Sequence, residues 1–284
     1  MSNVDAAPTN NGRGSPASFR SWTHFSVDRR SPGYCRVTFD HPPINTITAT
    51  TVAELAELVG LIEHDPDLNV VVFDSANPDF YLAHYDIEHD PGRTLALPAG
   101  PTGMHAWLDL LVRLSRAPVV SIASIRGRAR GAGSEFVLAC DLRFASRENA
   151  LLGGPTARLP RLVGRGRALE ILLVADDLDG PRAEQYGYVN RAIADDQLDD
   201  EVGQIASRLA RFDHDAIART KSYVDQVTLP PDSELPPALA DFFELLMRPA
   251  QQAQFARLEA LGLNVDSDLE RRLGQRVVEA LPDT

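Results

Sequence analysis

The chain has 284 residues, 44% of them hydrophobic and 24% charged, with 28 Lys and Arg against 40 Asp and Glu for a formal charge of −12. Such a composition excludes a wholly disordered or fibrous chain, and no apolar run approaches the roughly 18 residues that a bilayer-crossing helix needs. Two cysteines, Cys35 and Cys140, cannot build a disulfide scaffold, and no charged, apolar, small-residue leader opens the chain, so an intracellular, cytoplasmic protein is expected.

Residues 1–20 are dominated by Asn, Ser, Gly, Pro and Ala and read as a mobile tail, with order beginning near Trp22. CRVTFD at 35–40 predicts a strand, residues 48–64 an amphipathic helix, and NVVVFD at 69–74 a buried strand. An irregular stretch rich in Pro, Gly and His spans 75–103. A helix at 104–116 leads to a strand over PVVSIASI at 118–125, a glycine-bearing turn, and a helix opening near Ala132. DLRFAS at 141–146 and YVNRAI at 188–193 predict further strands. This alternation predicts an α/β layered fold with parallel strands over 21–196. From 197 to 284 the pattern is helical, with a Pro-rich break at 230–237. With no strand to cover, that region is expected to pack on its own body or on a neighbouring subunit.

Charge is unevenly placed. Residues 61–90 hold eight acids and no Lys or Arg, whereas residues 111–170 carry eleven Arg against four acids. Arginine offers planar, forked donors that suit phosphate, so a basic centre in an acidic chain points to a phosphorylated small ligand more than to bulk nucleic acid; surface ion pairing explains the same arginines equally well. GAGSEF at 131–136 is a tight turn from a strand into a helix, where unpaired amides at the positive dipole end can hold an oxyanion. Glu135 falls in the first turn, where an acid also simply complements the dipole. FYLAHYDIE at 80–88 is a loop able to present a second amide. His84, Asp86, Glu88 and His89 lie within or beside it, but their spacing matches no recognised metal site. G-x-S-x-G fails at Phe136, and neither a Walker A nor a dinucleotide-binding fingerprint is present. RGRARG at 126–131 resembles an RNA-binding tract, yet the net charge and its place between strand and helix speak against nucleic acid.

Taken together, the segments resemble the crotonase (enoyl-CoA hydratase/isomerase) superfamily from roughly Phe25 onward. HPPIN at 41–45 is similar to the family's proline-to-asparagine turn, and AHYDI at 83–87 to its A-G-x-D-[IL] segment, with His84 in place of glycine. APVVSIASIRGRARGAGSEFVLACDLRFAS at 117–146, RLPRLVGRGRALEILL at 158–173 and the run ending YGYVNRAI at 186–193 continue the likeness. The resemblance implies a crotonase-like ββα spiral core with a C-terminal helical oligomerisation region, an acyl-CoA thioester as ligand, and a trimer or dimer of trimers. It implies an oxyanion hole made by the amides of Tyr85 and Ala132, with Glu135 as the acid or base acting on water. Ile44, Asn45, Ala83, Asp86 and Gly131 would line the substrate, and Arg128 and Arg130 would reach CoA phosphates or shape the acyl pocket. No metal, redox cofactor, nucleic acid or membrane partner is implied, and coenzyme A enters only as part of the substrate.

One departure follows Ala150. Relatives carry a second glutamate and a glycine-rich loop before the R-L-P-R-L-V-G run, whereas ALLGGPTARLP at 150–160 is about a dozen residues shorter and Thr156 aligns with a threonine rather than the acid. Either the chain is a shortened member with altered chemistry, or Tyr85, His84 or a water takes over, or Leu152 and Gly153 are not truly joined. A positioned acid or base is commonly worth about 10²–10⁴ in rate, so the gap bears directly on the reaction: an isomerase, a decarboxylase or a silent acyl-CoA-binding subunit are the alternatives to a hydratase.

Overall fold

The computed structural model describes residues 22–86, 91–154 and 157–281; the predicted tail at 1–20, Glu88, His89 and Thr156 lie outside them. Strands β1 (Phe25–Ser31) and β2 (Tyr34–Phe39) form an antiparallel hairpin. Helix α1 (Ala49–Glu63) begins at Thr48, whose hydroxyl accepts from the Thr51 amide while the Thr48 amide donates to Thr51 Oγ1. It buries Val52, Leu55, Val59 and Ile62, a helical spacing, and returns the chain to β3 (Val70–Ser75) beside β2. Short β4 (Phe80–Leu82), α2 (Pro91–Leu95) and α3 (Ala106–Arg116) follow, then β5 (Val120–Ile125), β6 (Arg128–Ala129) and α4 (Ala132–Ala139). Next come β7 (Leu142–Ser146), β8 (Leu151–Leu152), α5 (Leu159–Val163), α6 (Arg165–Val174), β9 (Leu178–Asp179), α7 (Gly180–Tyr186) and β10 (Arg191–Ile193). The chain ends in α8 (Leu198–Leu209), α9 (His214–Thr228), α10 (Leu235–Leu246), α11 (Pro249–Ala260), α12 (Asp268–Arg271) and α13 (Leu273–Arg276).

Two sheets result. The larger runs β1-β2-β3-β5-β7-β10, parallel except for β1; the smaller runs β4-β6-β8-β9. Each of β3, β5 and β7 feeds directly into one short strand of the small sheet and then into helix, so the chain winds as a ββα spiral. The main core lies among α1, α3, α4 and the two sheets, with Phe39, Phe73 and Phe136 in mutual ring contact. A second core forms on the other face of the large sheet, where Leu198, Val202 and Ala206 of α8 pack on Val70, Val72, Ile122 and Phe144. The region after 197 therefore does cover strands: the parallel sheet has two apolar faces, and α8 closes the second.

The 152–153 junction is continuous and integrated. Leu152 pairs with Ala129, the Gly153 amide donates to Ala129 O at 2.9 Å, and Gly153 O accepts from Ser134 Oγ and Tyr188 OH. A Cβ on Gly154 would lie 2.9 Å from Ile171 and Leu172 side-chain carbons, so the shortened connection runs tightly over α6. Cys35 and Cys140 are both buried thiols. Among the described residues no helix is long and apolar enough to cross a membrane.

Candidate active site

Two loops meet at the edge of the small sheet. Leu82 of β4 pairs with Ala129 of β6, and the pairing is carried one step further by the Arg130 amide donating to Ala83 O at 3.0 Å. On its other side the loop is laced to the turn before α1: the Ile47 amide donates to His84 O and the Asp86 amide to Ile47 O, both at 2.8 Å. In a parallel ladder the residue between two such bonds turns its own amide to the opposite edge, so Tyr85 presents its N–H toward the β6 side, where α4 starts. Ala132 is the first residue of α4, and the first amides of a helix have no acceptor within it and sit at the positive end of its dipole. Gly131 makes the turn at φ +47° and is exposed; a Cβ there would meet nothing nearer than His84 Cβ at 3.8 Å. Gly133 is the opposite case, because its Cβ would stand 2.0 Å from Leu82 O. That absent side chain is what lets the two loops lie together.

Glu135 sits three residues after Ala132, on the same helix face. Its Oε2 accepts from Trp107 Nε1 at 2.5 Å, and the buried Trp107 ring meets Tyr85 edge-on at 6.3 Å. The Tyr85 hydroxyl accepts from Thr94 Oγ1 at 3.0 Å. Burial raises the Glu135 carboxyl above the ordinary glutamate range, opposed by the Trp107 hydrogen bond and by the charge of Arg158. Arg158 is itself buried, with a guanidinium pulled down to about 10 by burial against the pull of Glu135. Its Nε has no partner among the described residues. Arg158 is the charged group acting on Glu135; no second carboxylate among the described residues does so.

The remaining candidates act on the framework. Ile44 and Ala83 are buried against Phe80. Asn45, at φ +54°, donates through Nδ2 to Ser75 Oγ, Phe80 O and Tyr81 O while its Oδ1 accepts from the His41 amide, fastening the turn to β4. Asp86 is half-buried and contributes its amide to the ladder just described. Arg128 donates to Arg271 O at 2.8 Å and to Asp79 O at 2.9 Å and lies over the Phe80 ring. Arg130 is buried in a forked pair with Asp177 (2.7 and 2.6 Å) and donates to Glu270 O at 2.7 Å. Both guanidinium groups, which the resemblance would extend to CoA phosphates or the acyl pocket, are engaged within the chain and tie its C-terminal segment to the small sheet. A cavity of about 780 Å³ lies elsewhere, between the end of α4, β7 and α9, reached by Arg158 from the Glu135 side.

Three partners went unread in the sequence: Trp107, Arg158 and the Glu270 carboxylate that meets His84. Trp107 and Arg158 stand in segments with a strong helical or family pattern but no local mark of their role, and Glu270 lies 186 residues from His84.

With this geometry in view, the sequence pattern of enoyl-CoA hydratase/isomerase matches residues 29–253. The chain belongs to that family. It is 30% identical over 218 residues to "Probable enoyl-CoA hydratase EchA12" of Mycobacterium tuberculosis, covering 69% of this chain and 74% of the relative. It is 28% identical over 197 residues to the crotonyl-CoA hydratase of Syntrophomonas wolfei, covering 64% and 74%. Among solved structures, that of "a putative enoyl-CoA hydratase from Streptomyces avermitilis" superimposes with a TM-score of 0.85 at 39% identity, over 92% of this chain and 98% of the other. The mixed α/β spiral described above is thus the crotonase fold of the family, and its members' names centre on enoyl thioesters of coenzyme A.

Proposed function

We propose that this family member is a cytoplasmic hydratase of a 2-enoyl-CoA, with the thioester oxygen held by the amides of Tyr85 and Ala132 and with Glu135 as the sole proton carrier. Water approaches the β-carbon beside Glu135, which takes its proton as the new C–O bond forms. The π-electrons of the double bond move toward the carbonyl, and the resulting enolate oxygen is stabilised by the two amides. Glu135 then returns the proton to the α-carbon, closing the cycle with no other group. The observation that carries this reading is the Glu135 carboxylate, held by Trp107 one helical turn from the first amide of α4, where burial favours its protonated form.

That Arg158, and no second carboxylate among the described residues, acts on Glu135 also favours a second reading: an isomerase, in which one carboxylate moves a proton between the α- and γ-carbons. Crotonyl-CoA and 3-butenoyl-CoA separate the two. Loss of the conjugated thioester absorbance with crotonyl-CoA supports hydration, its appearance from 3-butenoyl-CoA without later loss supports isomerisation, and binding of both without turnover points to a silent acyl-CoA subunit.

Two expected results follow here. In its base form Glu135 must be ionised, so turnover rises with pH through its elevated pKa. Trp107→Phe removes a hydrogen bond that favours the carboxylate, and the acid limb of the pH–rate profile should move to higher pH. A limb that stays put, or moves down, would refute the assignment. The second concerns assembly. We propose a trimer or dimer of trimers, supported by the exposed apolar Tyr223, Val224 and Val227 on α9 and by Leu173 and Val174 at the end of α6. Sedimentation of the full chain should give three or six times the monomer mass, and a monomer would overturn this.

A further inference from the structure

His84 stands where the family has glycine, and both of its ring nitrogens face acceptors. Nε2 lies 2.7 Å from Glu270 Oε1 and Nδ1 lies 3.1 Å from Tyr85 O. A backbone carbonyl can only accept, so Nδ1 carries a proton. Glu270 Oε1 also accepts from the Asn264 amide at 2.8 Å, a bond that favours the ionised carboxylate, and an ionised carboxylate can only accept from Nε2. An imidazole with two donors is an imidazolium. Glu270 belongs to α12 and is fully buried, with Oε2 lacking a hydrogen bond among the described residues, so its negative charge depends on His84 for compensation.

The charged groups that face His84 among the described residues are Glu270 from α12 and Arg130 from the end of β6, and Arg130 is itself neutralised by Asp177 before β9. With His84 protonated the four groups sum to zero. Without that proton the cluster is left with one buried negative charge, next to the place where a thioester oxygen would gain negative charge.

We propose that His84 is the positioning residue of the oxyanion edge: held as an imidazolium by Glu270, it fixes the Tyr85 peptide and makes the C-terminal helix α12 part of the thioester site, which fails when His84 loses its proton. The proposal rests on the thioester reading for its consequence but not for the clamp itself. Burial alone would lower the His84 pKa; the hydrogen bond and charge of Glu270, with the Tyr85 carbonyl, outweigh it and hold the pKa above the ordinary histidine value, while Glu270 is held below its own. The contribution of the clamp is therefore present below the raised His84 pKa and lost as pH rises through it, independently of the acid limb set by Glu135.

The test uses the full-length protein and two readouts. Side-chain ¹⁵N NMR of His84, identified by loss of its signals in His84→Gln, should show two ring N–H groups at neutral pH and titration above the ordinary histidine range. Glu270→Gln, which keeps an oxygen for Nε2–H, should bring that titration down. Turnover of crotonyl-CoA should then lose its alkaline limb at correspondingly lower pH, with kcat at pH 8 falling about tenfold for each unit of the shift and KM changing little. A His84 that titrates as an ordinary histidine, or a Glu270→Gln variant whose loss is the same at every pH, overturns the proposal, since a purely structural residue gives that second pattern. If no enoyl-CoA is turned over, the NMR titration still decides the clamp, and the carbonyl ¹³C shift of bound [1-¹³C]butyryl-CoA takes the place of kcat. A shift that reverses as His84 deprotonates supports the proposal, and one independent of pH refutes it.

Discussion

Glu135→Gln should lower turnover of a 2-enoyl-CoA by about 10³-fold, within the range removed with a positioned acid or base. The substitution is nearly isosteric, and its amide oxygen can still accept the Trp107 N–H, so Tm should change little and butyryl-CoA should bind as before. What it removes is the ability to take a proton from water and give it back. In a family member with two carboxylates at the reacting centre, losing one leaves a partner; here Arg158 is the charged neighbour, and near neutral pH it keeps its proton and cannot take one from water. Stopped-flow absorbance of crotonyl-CoA at pH 8 is the measurement. Residual activity within tenfold of the parent would mean that Glu135 does not carry the proton. The parent itself should lose activity on acidification at a pH above the usual carboxylate range, because burial lifts Glu135 and the protonated form cannot act as base.

Gly133→Ala should be the most damaging one-carbon change near the site. The added methyl would stand 2.0 Å from Leu82 O and 2.9 Å from Leu82 C, both backbone atoms that cannot rotate away. Either β4 separates from α4 or the helix start shifts, and overpacking of this kind costs about 3 kcal/mol. For a domain of this size that is a Tm lower by about 6–10 °C. Turnover should fall by about 10²-fold or more, because a displacement near 1 Å between the Tyr85 and Ala132 amides destroys their common aim. Gly203→Ala in α8 is the control: its Cβ meets nothing within 4 Å, and alanine there should raise stability by roughly 0.4–1 kcal/mol. Equal Tm values for the two variants would refute the close-approach argument.

The spiral was legible where a pattern is local. Val70–Ser75 opens on four apolar residues and Val120–Ile125 is apolar but for two serines, and Ala49–Glu63 shows helical spacing with a capping threonine, so their types and nearly their ends could be read directly. The small sheet could not, since β6, β8 and β9 are two residues long and carry no periodicity. The alternation of β1 was equally hidden, because in FSVDRRS only Phe25 is buried and Val27, Arg29 and Ser31 are half-buried between exposed positions. Near the candidate site, the helix start at Gly131 and Ala132, with Glu135 in the first turn, was legible because a turn into a helix is marked within a few consecutive positions. Trp107 and Glu270 were not, because their contacts close over 28 and 186 residues and depend on how helices pack rather than on any local spacing. The arginines show the opposite hazard: a cationic sequence such as RGRARG suggests an outside anion, yet Asp177, Asp195, Asp199 and main-chain oxygens already take up its side chains.

The buried thiols have a practical bearing on which bond of the ligand is broken. Cys35 is pushed up to about 12 by burial and Cys140 is raised further still, so neither offers thiolate to a disulfide dye at neutral pH. Colour developing above that of a protein-and-dye control, when acyl-CoA is added, therefore reports released coenzyme A. Cleavage at sulfur can then be told from addition across the carbon–carbon bond in a single cuvette.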